Sequence, residues 1–167
     1  RCWGADSQAV TSWAGIWNRA HVRAGMATCG KHFPGMGGAE CDPHFDLPVL
    51  HGTKDAFLAD ACIPFHALMP ELPSMMIAHV LIPEIDAELP TSLSPALVRD
   101  FLRTQLGYNG IIFTDDLCMG AIAKQYTPAQ SVALALRAGG DLPLVCHNAC
   151  EHLESIAEAI TQLPEDI

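Results

Sequence analysis

The chain has 167 residues, which fits one domain or part of one, and its 50% hydrophobic and 17% charged residues exclude disorder and predict a substantial core. Its 19 acidic against 9 basic side chains give a formal charge of -10 at pH 7, so we expect no nucleic-acid partner. No apolar run approaches the roughly 20 residues that span a bilayer, so we expect no membrane partner either.

The first predicted elements are an amphipathic helix and a short strand. Apolar side chains recur at helical spacing over residues 10–24, and Gly25 ends the run. Trp13 and Trp17 belong to this face, so we expect them in the core rather than on a sugar-binding surface. Residues 26–29 then predict a short buried strand.

The middle of the chain continues the alternation. A helical stretch is predicted over 54–69 with a break near Pro64, followed by a strand over 74–80. Ser94, followed by a proline, provides an N-cap and a favourable first turn for a helix that ends at Gly107.

The last third of the chain adds further strands and helices. An apolar strand over 111–113 ends in polar residues, and a helix capped by Thr127 runs to about Ala138. A strand over 142–146 and a helix over 151–163 close the chain. The side chains of this last helix that are expected to point inward are Leu153, Ile156, Ala157 and Ile160.

This order of elements predicts an α/β fold with a parallel sheet. The near-continuous apolar strands suggest burial on both faces, and polar residues follow the strands, where such folds carry their chemistry. Eight strand–helix units form a TIM (β/α)8 barrel of about 250 residues, so residues 1–167 are interpreted as a single or partial domain, the second half of a catalytic barrel. A flavodoxin-like open sheet is the alternative, but no glycine-rich phosphate loop supports it.

A glycine-rich loop over residues 31–44 is the most informative segment. It combines glycines, prolines and titratable side chains directly after a predicted strand. A loop of this length inside a compact domain is usually functional, although composition alone fits an ordinary surface loop equally well.

A second segment places two acids at the polar end of a strand. Asp115 and Asp116 follow the run 111–113, where repulsion and partial desolvation destabilise two carboxylates unless they have partners or a role. Because neighbouring strand residues alternate sides, one can face the barrel mouth while the other turns away. For Asp116 we expect hydrogen bonds to nearby backbone; for Asp115 this segment alone leaves a structural and a catalytic role open.

Together these segments resemble glycoside hydrolase family 3, and within it the bacterial β-N-acetylglucosaminidases of peptidoglycan recycling. The motifs that carry the resemblance are Lys31-His32-Phe33-Pro34-Gly35 with Gly37, Asp42-x-His44, Ala78-His79-Val80 and Ile112-Phe113-Thr114-Asp115-Asp116-Leu117. Their order and spacing fit that family across nearly the whole chain.

The resemblance implies a retaining exo-β-N-acetylglucosaminidase with neither a cofactor nor a metal. Asp115 would be the nucleophile that forms a covalent glycosyl-enzyme, His44 the general acid/base, and Asp42 the dyad partner that orients the imidazole. The side chains implied to contact the sugar or line its pocket are Arg1, Lys31, His32, His79 and Met119. The implied partner is a carbohydrate, a muropeptide fragment with a terminal N-acetylglucosamine.

The chain also departs from the family pattern. Met36 stands where members often have histidine, and Pro43 stands between the dyad residues where serine or threonine is usual. The first half of the barrel, which supplies further sugar contacts, is missing. A half barrel exposes sheet edges and an apolar inner face, so we expect either self-association or that the chain is part of a longer polypeptide. We favour the longer polypeptide, which the start at Arg1 without a methionine also suggests.

Two alternatives come from other functional classes. A metal-dependent barrel hydrolase would use histidines and carboxylates that converge at the barrel mouth, but no strand ends in His-x-His and no helix carries His-Glu-x-x-His. Its candidate ligands are His32, His44, His79, Asp42 and Asp115. A non-catalytic sugar-binding or assembly remnant would bind N-acetylglucosamine without turnover.

The 7 cysteines form no Cys-x-x-Cys pair, which argues against a zinc ribbon or a thioredoxin motif. We expect unpaired and mostly buried thiols. Unpaired thiols favour a reducing bacterial cytoplasm as the location of the protein.

Overall fold

A computed structural model describes residues 3–164, without the side chains of residues 54 and 58. The strands are β1 (Cys29–Phe33), β2 (Ser74–Ile77), β3 (Ile111–Asp116) and β4 (Leu142–Leu144). The helices are α1 (Ser7–Arg23), α2 (Lys54–Ala59), α3 (Ile63–Leu68), π1 (Ala96–Gln105), α4 (Gly120–Ala123), α5 (Pro128–Ala138) and α6 (Ala149–Thr161), with 3-10 turns at Met69–Glu71 and Thr91–Leu93. No helix within residues 3–164 has the length and apolar character needed to cross a membrane.

The four strands form one parallel sheet in the order β1-β2-β3-β4. Each strand lies beside the strand that follows it in the sequence, and helical segments connect them. A flavodoxin-like sheet places its second strand outside its first, so the sequential order excludes that alternative. The predicted α/β fold is confirmed, and the sheet corresponds to half of a TIM-type barrel.

The sheet buries one face and leaves the other partly open. Met75 and Ile112 are fully buried in a core that also contains Leu102 of π1. On the opposite face, Ile111 and Leu142 are 47% and 45% exposed. Because strand side chains alternate and the helices cover only one face, the inner face is partly open within the described chain, as expected for half of a barrel.

Local signals begin and end the helices where the sequence predicts. Thr127 and Gln130 form a capping box at the start of α5, and Gly139 ends that helix in the left-handed region with φ 99°. The break predicted near Pro64 is present, since α2 ends before it and the proline lies in the first turn of α3.

The helix predicted after Ser94 is present, but its hydrogen bonding is of the π type. The Ser94 hydroxyl accepts a hydrogen bond from the Leu97 amide at 3.2 Å, and at the other end the Leu106 amide donates to the Phe101 carbonyl, five residues back, at 2.9 Å. The predicted apolar stripe still faces the core, because Leu97, Phe101 and Leu102 are buried.

Several strand boundaries differ from the predicted ones. β1 begins at Cys29, where the sequence suggested a start at residue 26. β2 ends at Ile77 and β4 at Leu144, where the sequence suggested ends at residues 80 and 146. Met26 is 56% exposed and precedes the sheet. The Val80 amide donates to the Thr91 hydroxyl at 3.3 Å, and the Cys146 amide donates to the Asp116 carboxylate at 3.0 Å. These side chains replace the neighbouring strand as hydrogen-bond partners, so strand pairing ends earlier.

The first and last helices expose apolar side chains that the sequence placed in the core. Trp13 and Trp17 on α1 are 57% and 44% exposed, and Leu153 and Ile160 on α6 are 59% and 43% exposed. Ile156 is partly buried against the core, as predicted. Ala157, by contrast, is exposed. Within the described chain α1 packs mainly against α3 and α6 against α5, so each terminal helix has a neighbour on one side.

The described cysteines are unpaired, but most of them are not buried. Cys62 is buried, and burial raises the pKa of its thiol to about 11. Cys118 is intermediate, and the exposed cysteines are Cys29, Cys41, Cys146 and Cys150. The expectation of mostly buried thiols is therefore wrong.

Candidate active site

Asp115 lies on the open face of β3, at the carboxyl end of the sheet. One of its carboxylate oxygens accepts a hydrogen bond from the Asp116 amide at 2.9 Å. The other oxygen lies 3.7 Å from Nε2 of His32 at the end of β1, and 20% of the Asp115 side chain is exposed. The carboxylate is held in place but accessible, as a nucleophile requires.

Asp116 turns to the other side of β3, as the alternation of strand side chains predicts. Its Oδ1 accepts hydrogen bonds from the amides of Cys118 and Cys146, both at 3.0 Å, and these bonds tie the end of β3 to the end of β4. Burial alone would raise the pKa of Asp116, but the hydrogen bonds outweigh it and lower the pKa. The predicted backbone-bonding role of Asp116 is confirmed.

Asp42 and His44 form a dyad in the loop that follows β1. The His44 ring Nδ1 lies 2.6 Å from Oδ1 of Asp42, and the His44 amide donates to the same oxygen at 2.9 Å. Because a carboxylate only accepts, Nδ1 carries the proton and Nε2 is the atom available for proton transfer. The backbone hydrogen bond from His44, followed by the side-chain one, lowers the pKa of Asp42 and keeps it ionised.

The dyad loop is docked onto the beginning of α4, directly after β3. The Gly120 amide donates to the His44 carbonyl and the Ala121 amide to the Pro43 carbonyl, both at 3.0 Å. An exposed ion pair between Lys124 and Asp46, at 3.0 Å, adds a further contact. Pro43 is buried, and the dyad hydrogen bond forms with this proline in place.

His44 lies in the loop after β1 and Asp115 lies at the end of β3, and the dyad loop contacts α4, which follows β3. No hydrogen bond or ion pair within residues 3–164 joins the two side chains directly. The His44 side chain is 69% exposed, so its ring is open to solvent. The arrangement offers a carboxylate and a proton-transfer group on one edge of the sheet, and the two groups do not neutralise each other.

Two of the predicted sugar contacts border a cavity next to this edge. Lys31 and His32 line a cavity of about 590 Å³ between α1, β1 and α3, whose wall also includes Trp3 and Met36. Asp115 and the dyad are not part of that wall. Arg1, the remaining predicted contact on this side, lies outside the described residues.

His79 does not have the predicted role of a pocket-lining contact. It is fully buried; Nε2 lies 3.0 Å from the Asp116 carbonyl, and Nδ1 lies 2.7 Å from the Ser92 hydroxyl. A carbonyl only accepts, so Nε2 donates to it, and in the neutral ring Nδ1 accepts from the Ser92 hydroxyl. Burial is the main cause that lowers the pKa of His79. We therefore correct its role to positioning the backbone at the end of β3.

Met119, the other residue predicted to line the pocket, is buried. Only 7% of its surface is exposed. The Met119 amide donates to the Asp116 carbonyl at 3.0 Å, and Met119 is the N-cap residue of α4. It supports the turn between the nucleophile candidate and the dyad loop, rather than offering a broad surface to a sugar.

The residues considered for a metal-dependent hydrolase form pairs, such as His32 with Asp115, but within the described chain no three of them bring ligand atoms within 4.8 Å of one another. Within residues 3–164, the group of metal-ligating side chains whose ligand atoms all lie within 4.8 Å consists of Asp116, Cys118 and His147. Neither the motifs nor their spacing in the sequence indicate this group. Cys118 and His147 are 29 residues apart and follow different strands, so only the pairing of β3 with β4 brings them together.

Comparison with known proteins extends these observations. Residues 1–166 match the glycosyl hydrolase family 3 N-terminal domain. A β-hexosaminidase from Thiobacillus denitrificans is 39% identical over 167 residues, which cover 99% of this chain and 45% of that protein. The chain thus spans about half the length of that curated relative.

Solved structures agree with the sequence relatives. A family 3 β-N-acetylglucosaminidase from Paenibacillus sp. superposes with a TM-score of 0.91 at 31% identity, over 98% of this chain and 32% of that one. NagZ from Neisseria gonorrhoeae, in complex with N-trifluoroacetyl-D-glucosamine, superposes with a TM-score of 0.77 at 32% identity, over 92% of this chain and 42% of that one.

Proposed function

The chain belongs to glycosyl hydrolase family 3, and on that premise we propose that residues 1–167 are the second half of the catalytic barrel of a retaining exo-β-N-acetylglucosaminidase. The observation that carries the proposal is the placement of a held carboxylate, Asp115, at the same sheet edge as the Asp42–His44 dyad. The hydrogen bonds from α4 to the dyad loop link the two.

In the first step, the Asp115 carboxylate attacks the anomeric carbon of a terminal N-acetylglucosamine. The bond between that carbon and the leaving oxygen breaks, and the leaving oxygen takes a proton from Nε2 of His44. The sugar is then joined to Asp115 through an ester bond. The ionised Asp42 stabilises the imidazolium before the transfer and fixes its orientation through Nδ1.

In the second step, Nε2 of the now neutral His44 takes a proton from a water molecule. The water oxygen attacks the anomeric carbon and releases Asp115 as a carboxylate, with retention of configuration. An imidazole suits both steps because the same ring nitrogen can donate a proton and later accept one. The distance of 3.7 Å between His32 Nε2 and the Asp115 carboxylate supports a contact of His32 with a sugar hydroxyl beside the reacting carbon.

The substrate class is supported by the relatives. The Thiobacillus relative is a β-hexosaminidase, the Paenibacillus protein is a β-N-acetylglucosaminidase, and the Neisseria protein was solved with an N-acylated glucosamine analogue. The motif resemblance to peptidoglycan-recycling enzymes supports a muropeptide fragment as the natural substrate. The unpaired state of all six described cysteines is compatible with the reducing cytoplasm that this role requires.

The open face of the sheet supports a further part of the proposal, that this chain pairs with another barrel half. Ile111 and Leu142 are about half exposed on that face, and β1 and β4 are edge strands within the described sheet. Such edges and apolar surface favour association. We propose that the first half of the same barrel covers this open face. When that half is absent, a second copy of this chain covers it.

The test is nitrophenol release from 4-nitrophenyl N-acetyl-β-D-glucosaminide. We would compare the chain alone with the chain joined to the N-terminal half of the Thiobacillus denitrificans relative. Asp115→Ala removes the proposed nucleophile, and Asp100→Ala is a matched control, because Asp100 is an exposed carboxylate on π1. We expect turnover by the completed barrel and by Asp100→Ala, and a loss of several orders of magnitude in Asp115→Ala.

The outcomes separate the proposed enzyme from the alternatives. A folded, completed barrel without turnover that still binds N-acetylglucosamine would overturn the enzymatic proposal in favour of a sugar-binding module. Turnover that Asp115→Ala leaves unchanged would overturn the assignment of the nucleophile. Turnover that a chelator abolishes while the melting temperature stays unchanged would favour a metal-dependent hydrolase.

A further inference from the structure

A cluster of three potential metal ligands lies on the side of β3 that the proposed reaction does not use. We call Asp116, Cys118 and His147 the β3–β4 cluster. Its members offer a carboxylate oxygen, a thiol sulfur and a ring nitrogen, all within 4.8 Å of one another. Asp116 and Cys118 are half-buried and His147 is exposed, so the cluster is anchored in the protein and open to an ion from solvent.

The backbone holds the cluster in a fixed arrangement. Oδ1 of Asp116 is occupied by the amides of Cys118 and Cys146, and this directs Oδ2 towards Nδ1 of His147 at 3.3 Å. The Cys118 sulfur lies 3.7 Å from the His147 carbonyl. Asn148 follows in a left-handed turn with φ 50°, so the chain turns sharply directly after the histidine. Little rearrangement separates this geometry from metal coordination.

The donor set selects a particular class of ion. One thiolate, one imidazole and one carboxylate suit Zn²⁺, whose sites with three protein ligands keep the fourth tetrahedral position for water. Mg²⁺ and Ca²⁺ prefer oxygen ligands only, so the sulfur and nitrogen discriminate against them.

We propose that the β3–β4 cluster binds one Zn²⁺ ion through Oδ2 of Asp116, Sγ of Cys118 and Nδ1 of His147. Binding deprotonates the Cys118 thiol, and that proton passes to solvent. The ion joins the loop after β3 to the loop after β4. Its ligand Asp116 directly follows Asp115, the nucleophile candidate. The ion therefore stabilises the end of the sheet that carries the proposed active site. The proposal does not depend on glycosidase activity.

The test uses Co²⁺ as a spectroscopic substitute for Zn²⁺ in the chain of 167 residues. After removal of metals with a chelator, Co²⁺ is titrated and the thiolate-to-cobalt charge-transfer absorption is recorded. We expect saturation at one ion per chain, displacement of Co²⁺ by Zn²⁺, and a higher melting temperature of the zinc-loaded chain.

Variants assign the ligands. Cys118→Ser is expected to abolish the charge-transfer band, and His147→Gln to weaken Zn²⁺ binding by at least about tenfold. Cys150→Ser and His152→Gln are matched controls, because both residues lie on the neighbouring helix α6 outside the cluster, and they are expected to retain the band and the affinity. Metal-free melting temperatures verify that each variant is folded.

Distinct results would overturn the proposal. These are the absence of a charge-transfer band in the unmodified chain, a band that persists in Cys118→Ser, and affinity that His147→Gln leaves unchanged. A band that disappears in Cys146→Ser but not in Cys118→Ser would assign the site to a different thiol. Binding that disappears in His44→Gln would move the ion to the dyad loop and overturn the β3–β4 site.

Discussion

Gly120 is the position at which a single methyl group tests how the dyad loop is held. A Cβ at this residue would lie 2.6 Å from the Phe45 carbonyl oxygen and 2.8 Å from the His44 carbonyl oxygen. The Gly120 backbone is not in the left-handed region, so glycine is required here for space and not for conformation. Gly120→Ala therefore acts only by pushing the loop away.

The size of the displacement follows from these distances. Since contacts below 3.0 Å essentially do not occur and contacts of 3.4 Å are ordinary, the Phe45 carbonyl must move by about 0.4–0.8 Å. Such a shift weakens the hydrogen bonds that Gly120 and Ala121 donate to the loop, both now 3.0 Å long. At about 0.5–1.5 kcal/mol for each bond, the free energy of unfolding falls by about 1–3 kcal/mol.

Two assays measure the effect. The melting temperature of the chain is expected to fall by about 2–4 °C for each kcal/mol lost. In the completed barrel, the shift moves His44 relative to Asp115, and nitrophenol release is expected to fall by up to about 100-fold, since a misplacement of 1 Å costs about that factor.

Gly37→Ala is the matched control, because it adds the same methyl group in the loop after β1, where no atom lies within 4 Å. We expect it to leave the melting temperature nearly unchanged. A Gly120→Ala variant with unaltered stability and unaltered hydrogen exchange in the loop over 42–46 would refute the docking argument. An equal loss in Gly37→Ala would show that the effect is not specific to the contact with α4.

Three further predictions concern stability. Burial lowers the pKa of His79, so below pH 6.5 the unfolded chain binds a proton that the folded chain does not. The free energy of unfolding therefore falls on acidification by up to about 1.4 kcal/mol per pH unit. We expect His79→Gln to flatten this dependence in denaturant titrations from pH 7 to 5. Leu102→Ala, at a fully buried core position, is expected to lower the free energy of unfolding by about 2–5 kcal/mol, measured by urea unfolding. Leu153→Ala is expected to lower it little, because Leu153 is 59% exposed. Equal losses in the two variants would contradict the described core. The Asp141 carboxylate accepts from the Ile112 amide at 2.7 Å, so Asp141→Ala is expected to destabilise the start of β3 by about 1–3 kcal/mol, with faster amide exchange at residue 112 as the diagnostic measurement.

The sequence by itself determined the order of the elements and the chemistry of the main motifs. The Thr127 cap predicted α5 with an end near Ala138, and the apolar run ending in Asp115 and Asp116 predicted β3 with one acid on each side. These are local properties, because caps, periodicity and alternation depend on neighbours a few residues apart. The Asp42–His44 dyad was implied by the resemblance to glycoside hydrolase family 3, and its two members lie close enough in sequence for the hydrogen bond to form locally.

Only the tertiary structure decided which side chains are open to solvent and which distant residues meet. Trp13 follows a core pattern but is exposed, because within the described chain α1 has a packing partner on one side only. His79 lies in a motif typical of a pocket but is buried, and Ser92 and the Asp116 carbonyl satisfy both of its ring nitrogens. Burial and long-range contact depend on how strands pair and helices pack, and no local pattern encodes that arrangement. The pairing of β3 with β4 creates the β3–β4 cluster for the same reason.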